Sequence, residues 1–272
     1  WSGWRRGWLD GWLAARCGLP SPPMSDTGEP VPEPGELPLS VDPAEVAGPR
    51  IDEATGGYRQ VSFQRPTGAT EIVLVRHGES EPAVPGQPFP MVDGHGDPAL
   101  APQGHEQAER VGERLAGSRI DAVYVSTLRR TVQTAAPLLA RIGMEATVEP
   151  DIREVSLGEW DGGLYRQRIA EGHPLVVQMV QEERWDVIPG AEPMEAFTAR
   201  VTGALGRLVA AHPDQRIVVF SHGGVIGEAL RQAVESPRRF AFVGADNGSI
   251  STLVSVAGRW VLRGFNDTAH LQ

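Results

Sequence analysis

The chain of 272 residues has room for one large domain or two small ones, and its 40 % hydrophobic residues can fill a packed core. Its formal net charge of −10 argues against a general nucleic-acid-binding protein, which would carry a basic surface. Cys17 is the single cysteine, which excludes an intramolecular disulfide and a cysteine-based zinc site and fits a reducing, cytoplasmic location.

Residues 1–68 are expected to form no packed domain. They hold ten of the 23 prolines and show no sustained apolar period, which is typical of a disordered segment. Four tryptophans and three arginines among residues 1–16 could place a helix on a membrane surface. However, the chain begins with Trp, and Met24 precedes an ordinary sequence. We therefore favour an extension for residues 1–23, and no membrane partner is expected.

From Thr70 onward, strands and helices alternate, and residues 69–272 are assigned to one domain. This order predicts an α/β fold with three layers, α/β/α, a mostly parallel sheet and an antiparallel edge hairpin at the C-terminus. The predicted elements are a strand at 72–76, an irregular loop at 82–98, a helix at about 102–116, a strand at 120–125, a helix at about 127–142 with Ser126 as its N-cap, a weak strand at 146–148, a loop at 152–163, helical segments at 164–171, 174–184 and 193–211, a strand at 216–221, a helix at 224–233, and strands at 249–256 and 259–264.

Two of these strands end in the same way. Arg76-His77-Gly78 follows one apolar run, and His222 with Gly223 follows another. Because open α/β sheets bind ligands at the carboxyl ends of parallel strands, one pocket is expected to hold both histidines. A neutral imidazole can attack phosphorus, and the glycine would let a ligand approach closely. A histidine that only caps a strand is the alternative reading of His77.

Two further side chains could complete a phosphate site. Arg130 lies one turn into the helix after the second strand, where a guanidinium and a helix N-terminus both favour phosphate, and Arg129 competes with it. Glu154 lies in a loop with apolar neighbours that would shield a proton donor, and Glu159 is its rival. A metal site is disfavoured because the arginines repel cations and no cluster with ligand spacing accompanies the histidines.

Several short motifs occur in an order that is far more specific than any one of them. Along the chain they read LVRHGES, STLRRTVQTA, REVSLGEWDG, PGAEPMEAFTARV, FSHGGVI, NGSIS and NDTAHL. In this order they resemble the histidine phosphatase superfamily, also called phosphoglycerate mutase-like, over about residues 70–271. The resemblance implies that residues 69–272 form a catalytic domain with a lid insertion at about 160–190.

The resemblance also implies a role for each candidate residue. It matches His77 to the phosphorylated nucleophile, Arg76 and Arg130 to the arginines that clamp phosphate, and Glu154 to the proton donor. It favours Arg130 over Arg129 because the family's arginine follows the motif's serine by four positions. It matches His222 to the second pocket histidine, which bound phosphate would keep protonated, and it matches further phosphate donors to Ser80 and Gly223.

The chain departs from the family at one point. Family members commonly carry an aromatic residue and then an asparagine where this chain has Pro82-Ala83, so that donor is missing. We expect Gln87 or His95 to compensate for it.

The resemblance implies a phosphomonoester hydrolase that uses a phosphohistidine intermediate and needs neither metal nor other cofactor. Its expected partner is a small phosphorylated metabolite, and no nucleic-acid partner is expected. The alternatives are a phosphoglycerate mutase, a phosphatase of protein phosphohistidine, and a noncatalytic scaffold of the same fold. The lid looks shorter than in the mutases. Its arginines could bind a second acidic group, whereas its apolar residues could form a cap or pack as helix core: Tyr165, Arg166, Arg168, Val176, Val177, Met179, Arg184 and Trp185.

Overall fold

A computed structural model describes residues 50–52, 54–59 and 62–272. The predictions made for residues 1–49, including the tryptophan-rich face, lie outside these residues. Within the proline-rich segment, β1 (Arg50–Ile51) and β2 (Tyr58–Arg59) form a short antiparallel pair. No helix in the described part of the chain is both long enough and apolar enough to span a membrane.

A six-stranded sheet forms the middle layer of the fold. Its strands in chain order are β3 (Thr70–Arg76), β6 (Ala122–Val125), β7 (Ala146–Val148), β8 (Arg216–Ser221), β9 (Ile250–Val256) and β10 (Arg259–Asp267). Across the sheet they lie in the order β10-β9-β3-β8-β6-β7. The strands from β3 to β7 in that order are parallel, whereas β9 is antiparallel to β3 and to β10. The predicted α/β fold with a C-terminal antiparallel hairpin is confirmed.

The helices agree closely with the predicted segments. They are α1 (Pro102–Ala116), α2 (Arg129–Ile142), α3 (Leu164–Ala170), α4 (Pro174–Glu182), α5 (Met194–Ala211) and α6 (Gly223–Ala233). Within the described residues, short 3-10 turns lie at Pro150–Ile152, Gly158–Trp160 and Ala269–Leu271. The loop predicted at 82–98 contains a small antiparallel pair, β4 (Met91–Val92) and β5 (His95–Gly96).

The N-cap predicted for α2 is wrong. Leu128, and not Ser126, occupies the N-cap position, because the helix begins two residues later than expected. The Ser126 hydroxyl accepts a hydrogen bond from the Leu128 amide at 3.2 Å and contacts His222 at 2.8 Å. Ser126 therefore supports the site at the sheet edge.

Helices cover both faces of the sheet. Successive side chains of a strand point to opposite faces, so Val73 of β3 joins the core beneath α1 and α2, whereas Ile72 joins the core beneath α5 and α6. Phe197 of α5 and Trp185 of the lid belong to this second core. Residues 160–190, for which a lid was predicted, thus contribute to the core on the same side of the sheet as α5 and α6.

Candidate active site

The pairing of β3 with β8 brings the two histidines together. Arg76 is in register with Ser221, so His77 and His222 leave neighbouring parallel strands at the same level. The His77 amide donates to the Ser221 carbonyl at 3.0 Å, and the two imidazole rings lie 5.1 Å apart. The two histidines therefore meet at one edge of the sheet as predicted, but His77 lines the cavities there and His222 does not.

His77 is buried and held in one tautomer. Its Nδ1 lies 2.7 Å from the Gly78 carbonyl, which can only accept, so Nδ1 carries the proton in the neutral ring. The remaining nitrogen, Nε2, accepts from Nε of Arg130 at 3.2 Å. Burial, followed by the charges of Arg130 and Arg76, holds the pKa of His77 well below its ordinary value of 6.5. The imidazole is a neutral base whose lone pair faces Arg130.

Gly78 is required by the packing of the His77 loop against α1. A Cβ at this position would lie 2.4 Å from the carbonyl oxygen of Gly104 in α1. Gly104 is restricted to glycine by the same close approach of the two backbones, because a Cβ on it would lie 2.0 Å from the Glu79 carbonyl oxygen. The two glycines allow the His77 loop to rest directly on α1.

His222 lies deeper than His77. It is fully buried, its Nε2 contacts the Ser126 hydroxyl at 2.8 Å, and its Nδ1 has no hydrogen-bond partner among the described residues. Burial, followed by the charge of Arg130, holds the pKa of His222 well below 6.5. These surroundings therefore favour the neutral form of the His222 imidazole.

Arg76 and Arg130 bring two guanidinium groups to His77. Arg130 is 7 % exposed, and its Nη1 donates to the Gly96 carbonyl at 3.0 Å. Burial lowers its pKa to about 10. Arg76 donates to the Ala245 carbonyl, while its Nε is buried without a partner among the residues described. Both cations retain donors for an anion.

Glu154 approaches this group from the loop before α3. Its carboxylate accepts from the amides of Val155 at 3.0 Å and Gly224 at 3.3 Å. A Cβ on Gly224 would lie 2.5 Å from the carboxylate, so a larger residue at the start of α6 would displace the Glu154 side chain from this position. Glu159, the rival candidate, is exposed.

The backbone around Glu154 is clamped by Arg200 of α5. This guanidinium donates to the carbonyls of Asp151, Arg153 and Glu154 at 2.8, 2.8 and 2.9 Å. It also forms a two-pronged ion pair with Glu192, with N–O distances of 2.7 and 2.8 Å. Because the side chain is largely buried, these contacts fix the position from which Glu154 projects.

The two other predicted phosphate donors lie next to the arginines. The buried Ser80 hydroxyl accepts from Nη2 of Arg166 at 2.6 Å. Gly223 is the first residue of α6, and a Cβ on it would lie 3.5 Å from Nε of Arg76. Both donors therefore border the arginine cluster.

Neither residue predicted to replace the missing asparagine does so. Gln87 is exposed in a turn of the 82–98 loop and lines no cavity of the site. His95 is buried, but its ring nitrogens contact the carbonyls of Asp93 at 3.0 Å and Glu154 at 3.1 Å. His95 supports the Glu154 loop instead.

A cavity of about 300 Å³ lies beside His77. Its charged wall consists of the nucleophile candidate, the arginines and Glu154, and its other wall is apolar and aromatic. No group of three or more His, Cys, Asp or Glu side chains that could hold a metal ion occurs in the described ranges. The charged and titratable residues of the lining are Arg76, His77, Arg130, Glu154, Asp161 and Arg166. Its apolar and aromatic residues are Phe89, Pro98, Val155, Leu157, Trp160, Tyr165 and Trp185.

Only part of the predicted apolar cap reaches this cavity. Tyr165 and Trp185 line it with their rings 6.2 Å apart. Val177 is exposed, and Met179 is buried in the core beneath α5 and α6. Of the predicted cap residues, Tyr165 and Trp185 therefore line the cavity, and Val176, Val177 and Met179 do not.

A family model described as histidine phosphatase superfamily, branch 1, matches residues 72–268. The chain belongs to this family. Phosphoglycerate mutase-like protein 4 of Arabidopsis thaliana is 35 % identical over 207 residues, which cover 74 % of this chain and 87 % of that protein. Phosphoserine phosphatase 1 of Hydrogenobacter thermophilus is 32 % identical over 205 residues, which cover 74 % and 94 %.

Solved structures agree with this membership. A mycobacterial glucosyl-3-phosphoglycerate phosphatase has a TM-score of 0.61 and 26 % identity, with 74 % of this chain and all of the other chain covered. Both mutase-like and phosphatase names occur among the relatives of this histidine phosphatase domain. The names of the relatives do not decide between a mutase and a phosphatase, so that choice depends on the residues of the site.

Two residues of the domain were missed by sequence reasoning. The Asn247 amide donates to the His77 carbonyl at 2.9 Å, and Arg200 clamps the Glu154 loop. Each lies within a motif that carried the resemblance, NGSIS for Asn247 and PGAEPMEAFTARV for Arg200. The position of a polar residue inside such a motif was the signal that could have identified both residues as part of the site.

Alanine substitution should separate the two adjacent arginines of α2. We expect Arg130→Ala to lower kcat/KM for a phosphomonoester by about 10²-fold or more, because it removes a buried donor beside His77. Arg129→Ala is the matched control, since Arg129 pairs with Asp97 at 2.9 Å and is largely exposed. Steady-state kinetics of both variants test this, and equal losses would contradict it.

The pH dependence of the histidine phosphatase domain should reflect a neutral His77. A histidine with a lowered pKa stays neutral as the pH falls through 6.5, so kcat/KM should hold there and decline only at more acidic pH. The profile must be corrected for ionisation of the substrate phosphate, whose second pKa is about 6. An acid limb centred at or above pH 6.5 would contradict this environment of His77.

Proposed function

We propose that this domain hydrolyses small phosphomonoesters through a phosphohistidine intermediate on His77. The observation that carries the proposal is the fixed tautomer of His77, which directs Nε2 toward Arg130 at the cavity with Arg76 and Glu154. A phosphate oxygen is a better acceptor for Arg130 than an imidazole nitrogen. Binding of a phosphomonoester therefore releases the lone pair of Nε2 for attack.

In the first step, Nε2 of His77 attacks phosphorus in line with the leaving oxygen. The P–N bond forms while the P–O bond breaks, and Glu154 gives its proton to the leaving oxygen. The imidazole becomes positively charged, and Nδ1–H keeps its hydrogen bond to the Gly78 carbonyl. Arg76, Arg130 and His222 offset the charge on the phosphoryl oxygens.

In the second step, water attacks the phosphoryl group. The ionised Glu154 takes a proton from this water, the P–N bond breaks, and its electron pair returns to Nε2 of His77. Inorganic phosphate leaves, and both side chains regain their starting protonation. The guanidinium groups supply the charge that magnesium supplies in other phosphoryl transfers, so we propose that no metal is required.

Hydrolysis is favoured over mutase chemistry by the lid. Arg168 pairs with Glu171 at 2.9 Å, and Arg184 pairs with Asp186, so neither is free to hold a second acidic group. Neither of them lines the cavity, and Arg166, which does, donates to the Ser80 hydroxyl and the Glu81 carbonyl. The other long side chains that this segment brings to the cavity are Trp160, Tyr165 and Trp185, with the carboxylate of Asp161. Two of the cited relatives also carry phosphatase names.

A panel of phosphomonoesters tests the proposed function. Phosphate release is measured with and without EDTA, and conversion of 3-phosphoglycerate to its 2-isomer is followed in parallel. We expect phosphate release in both conditions and no isomerisation. Isomerisation as the main reaction would select the mutase, and neither activity would select a noncatalytic scaffold.

A further inference from the structure

Most arginines near the site are neutralised by a carboxylate. Such pairs join Arg129 with Asp97, Arg153 with Asp93, Arg168 with Glu171, Arg184 with Asp186, and Arg200 with Glu192. Three arginines that line the cavity beside His77 differ. Arg76, Arg130 and Arg166 form no ion pair within 4.0 Å of a carboxylate in the part of the chain that is described. Unpaired cations thus concentrate around the nucleophile candidate.

Arg166 reaches this cluster from α3 in the lid. Its Nη2 donates to the Ser80 hydroxyl at 2.6 Å, and its Nη1 donates to the Glu81 carbonyl at 2.8 Å. The guanidinium carbon lies 5.4 Å from the centre of the Phe89 ring. Although Arg166 is exposed on its outer side, these contacts direct its head toward the His77 loop.

Arg166 also separates two cavities. The second cavity, of about 460 Å³, shares Arg76, His77 and Arg166 with the first and adds Ser80 and Asn247. Since the Ser80 oxygen accepts from Arg166, the Ser80 hydroxyl hydrogen can point toward an anion at His77. Arg166 and Ser80 therefore form a pair of donors on one side of the nucleophile.

The charges around Arg166 favour an anion at this position. Burial, followed by the charge of Arg76, lowers the pKa of Arg166. The charge of Arg166 in turn contributes to the lowered pKa of His77. An anion bound between cations that repel one another lowers their electrostatic free energy.

We propose that Arg166 is a third phosphate-binding arginine, which contacts the phosphate dianion that is transferred to His77. This inference rests on the proposed function, because it takes the phosphomonoester site as given. In this chain, Arg166 would then supply a phosphate contact in place of the asparagine that family members commonly carry and that is absent at Pro82-Ala83.

Equilibrium binding of inorganic phosphate tests the proposal without turnover. Arg166→Ala and Arg166→Gln should each weaken the affinity of the full chain for inorganic phosphate about tenfold, measured by isothermal titration calorimetry. Arg168→Ala is the matched control from the same helix, since Arg168 pairs with Glu171, and it should bind phosphate as the unmodified protein does. Unchanged phosphate affinity in both Arg166 variants would overturn the proposal, and thermal unfolding verifies that the variants are folded.

Two substrates distinguish the transferred phosphate from a second acidic group. Arg166→Gln should raise KM by a similar factor for 4-nitrophenyl phosphate and for 3-phosphoglycerate, because both carry the transferred phosphate. A loss confined to 3-phosphoglycerate would show that Arg166 binds the carboxylate, which overturns the proposal. If the unmodified protein binds phosphate but hydrolyses no ester, the proposed function fails, while phosphate binding still tests Arg166.

Discussion

His77→Ala should abolish phosphate release from every phosphomonoester, with a loss of at least about 10⁴-fold in kcat. The reason is that His77 is the imidazole that lines the cavity with a free nitrogen, whereas the imidazole of His222 is fully buried and lines neither cavity beside His77. Steady-state kinetics measure the loss. The unmodified enzyme, quenched during turnover, should also carry one phosphoryl group that mass spectrometry locates on His77.

The matched control is His105→Ala. His105 is an exposed residue of α1 whose side chain makes no contact with the site, so this variant should retain full activity. Equilibrium unfolding of both variants separates a lost nucleophile from a lost fold. Retained turnover by folded His77→Ala protein would refute the phosphohistidine mechanism.

Glu154→Gln should slow hydrolysis by an amount that depends on the leaving group. Alkyl phosphates need a proton on the departing oxygen, so we expect a loss of about 10²- to 10⁴-fold in kcat. 4-Nitrophenyl phosphate has a leaving group that departs readily without protonation, so its first step should lose much less. Burst kinetics with both substrates separate phosphorylation of His77 from its hydrolysis, which is slowed in either case.

Glu159→Gln is the control for this variant, because Glu159 is exposed and should be dispensable. Arg200→Ala should reproduce the leaving-group dependence of Glu154→Gln in weaker form, since Arg200 positions the Glu154 backbone without reaching the cavity. An equal loss in the burst-phase rate of His77 phosphorylation for all leaving groups in Glu154→Gln would argue that Glu154 orients the phosphate instead of donating a proton.

Local pattern was sufficient to predict much of this fold. Short β-branched runs and amphipathic segments depend on neighbouring residues only, and the predicted helix at 102–116 is observed with those bounds. The start of α2 was misplaced because Ser126, a favourable N-cap by type, is held by His222, 96 positions further along the chain. The N-cap preference of a residue type is thus overridden where a partner distant in sequence binds its side chain.

Some features of the site depend on contacts between residues that lie far apart in the sequence. Arg129 and Arg130 are adjacent and chemically identical. The resemblance favoured Arg130, and the physical reason is a distant contact, the pairing of the Arg129 side chain with Asp97, 32 positions away. Likewise, Arg166 could not be distinguished from Arg168 or Arg184 before its contact with Ser80, 86 positions away, was known. Neither contact leaves a periodic signal in the sequence.

By itself, the sequence determined that two parallel strands each deliver a histidine to one edge of a sheet, because apolar runs and their glycine-flanked ends are local features. The tertiary structure alone decided the state of each histidine and the arginines around it. The tautomer of His77, the burial of His222 and the unpaired charge of Arg166 depend on desolvation and on contacts between distant segments. These quantities exist only once the chain is packed.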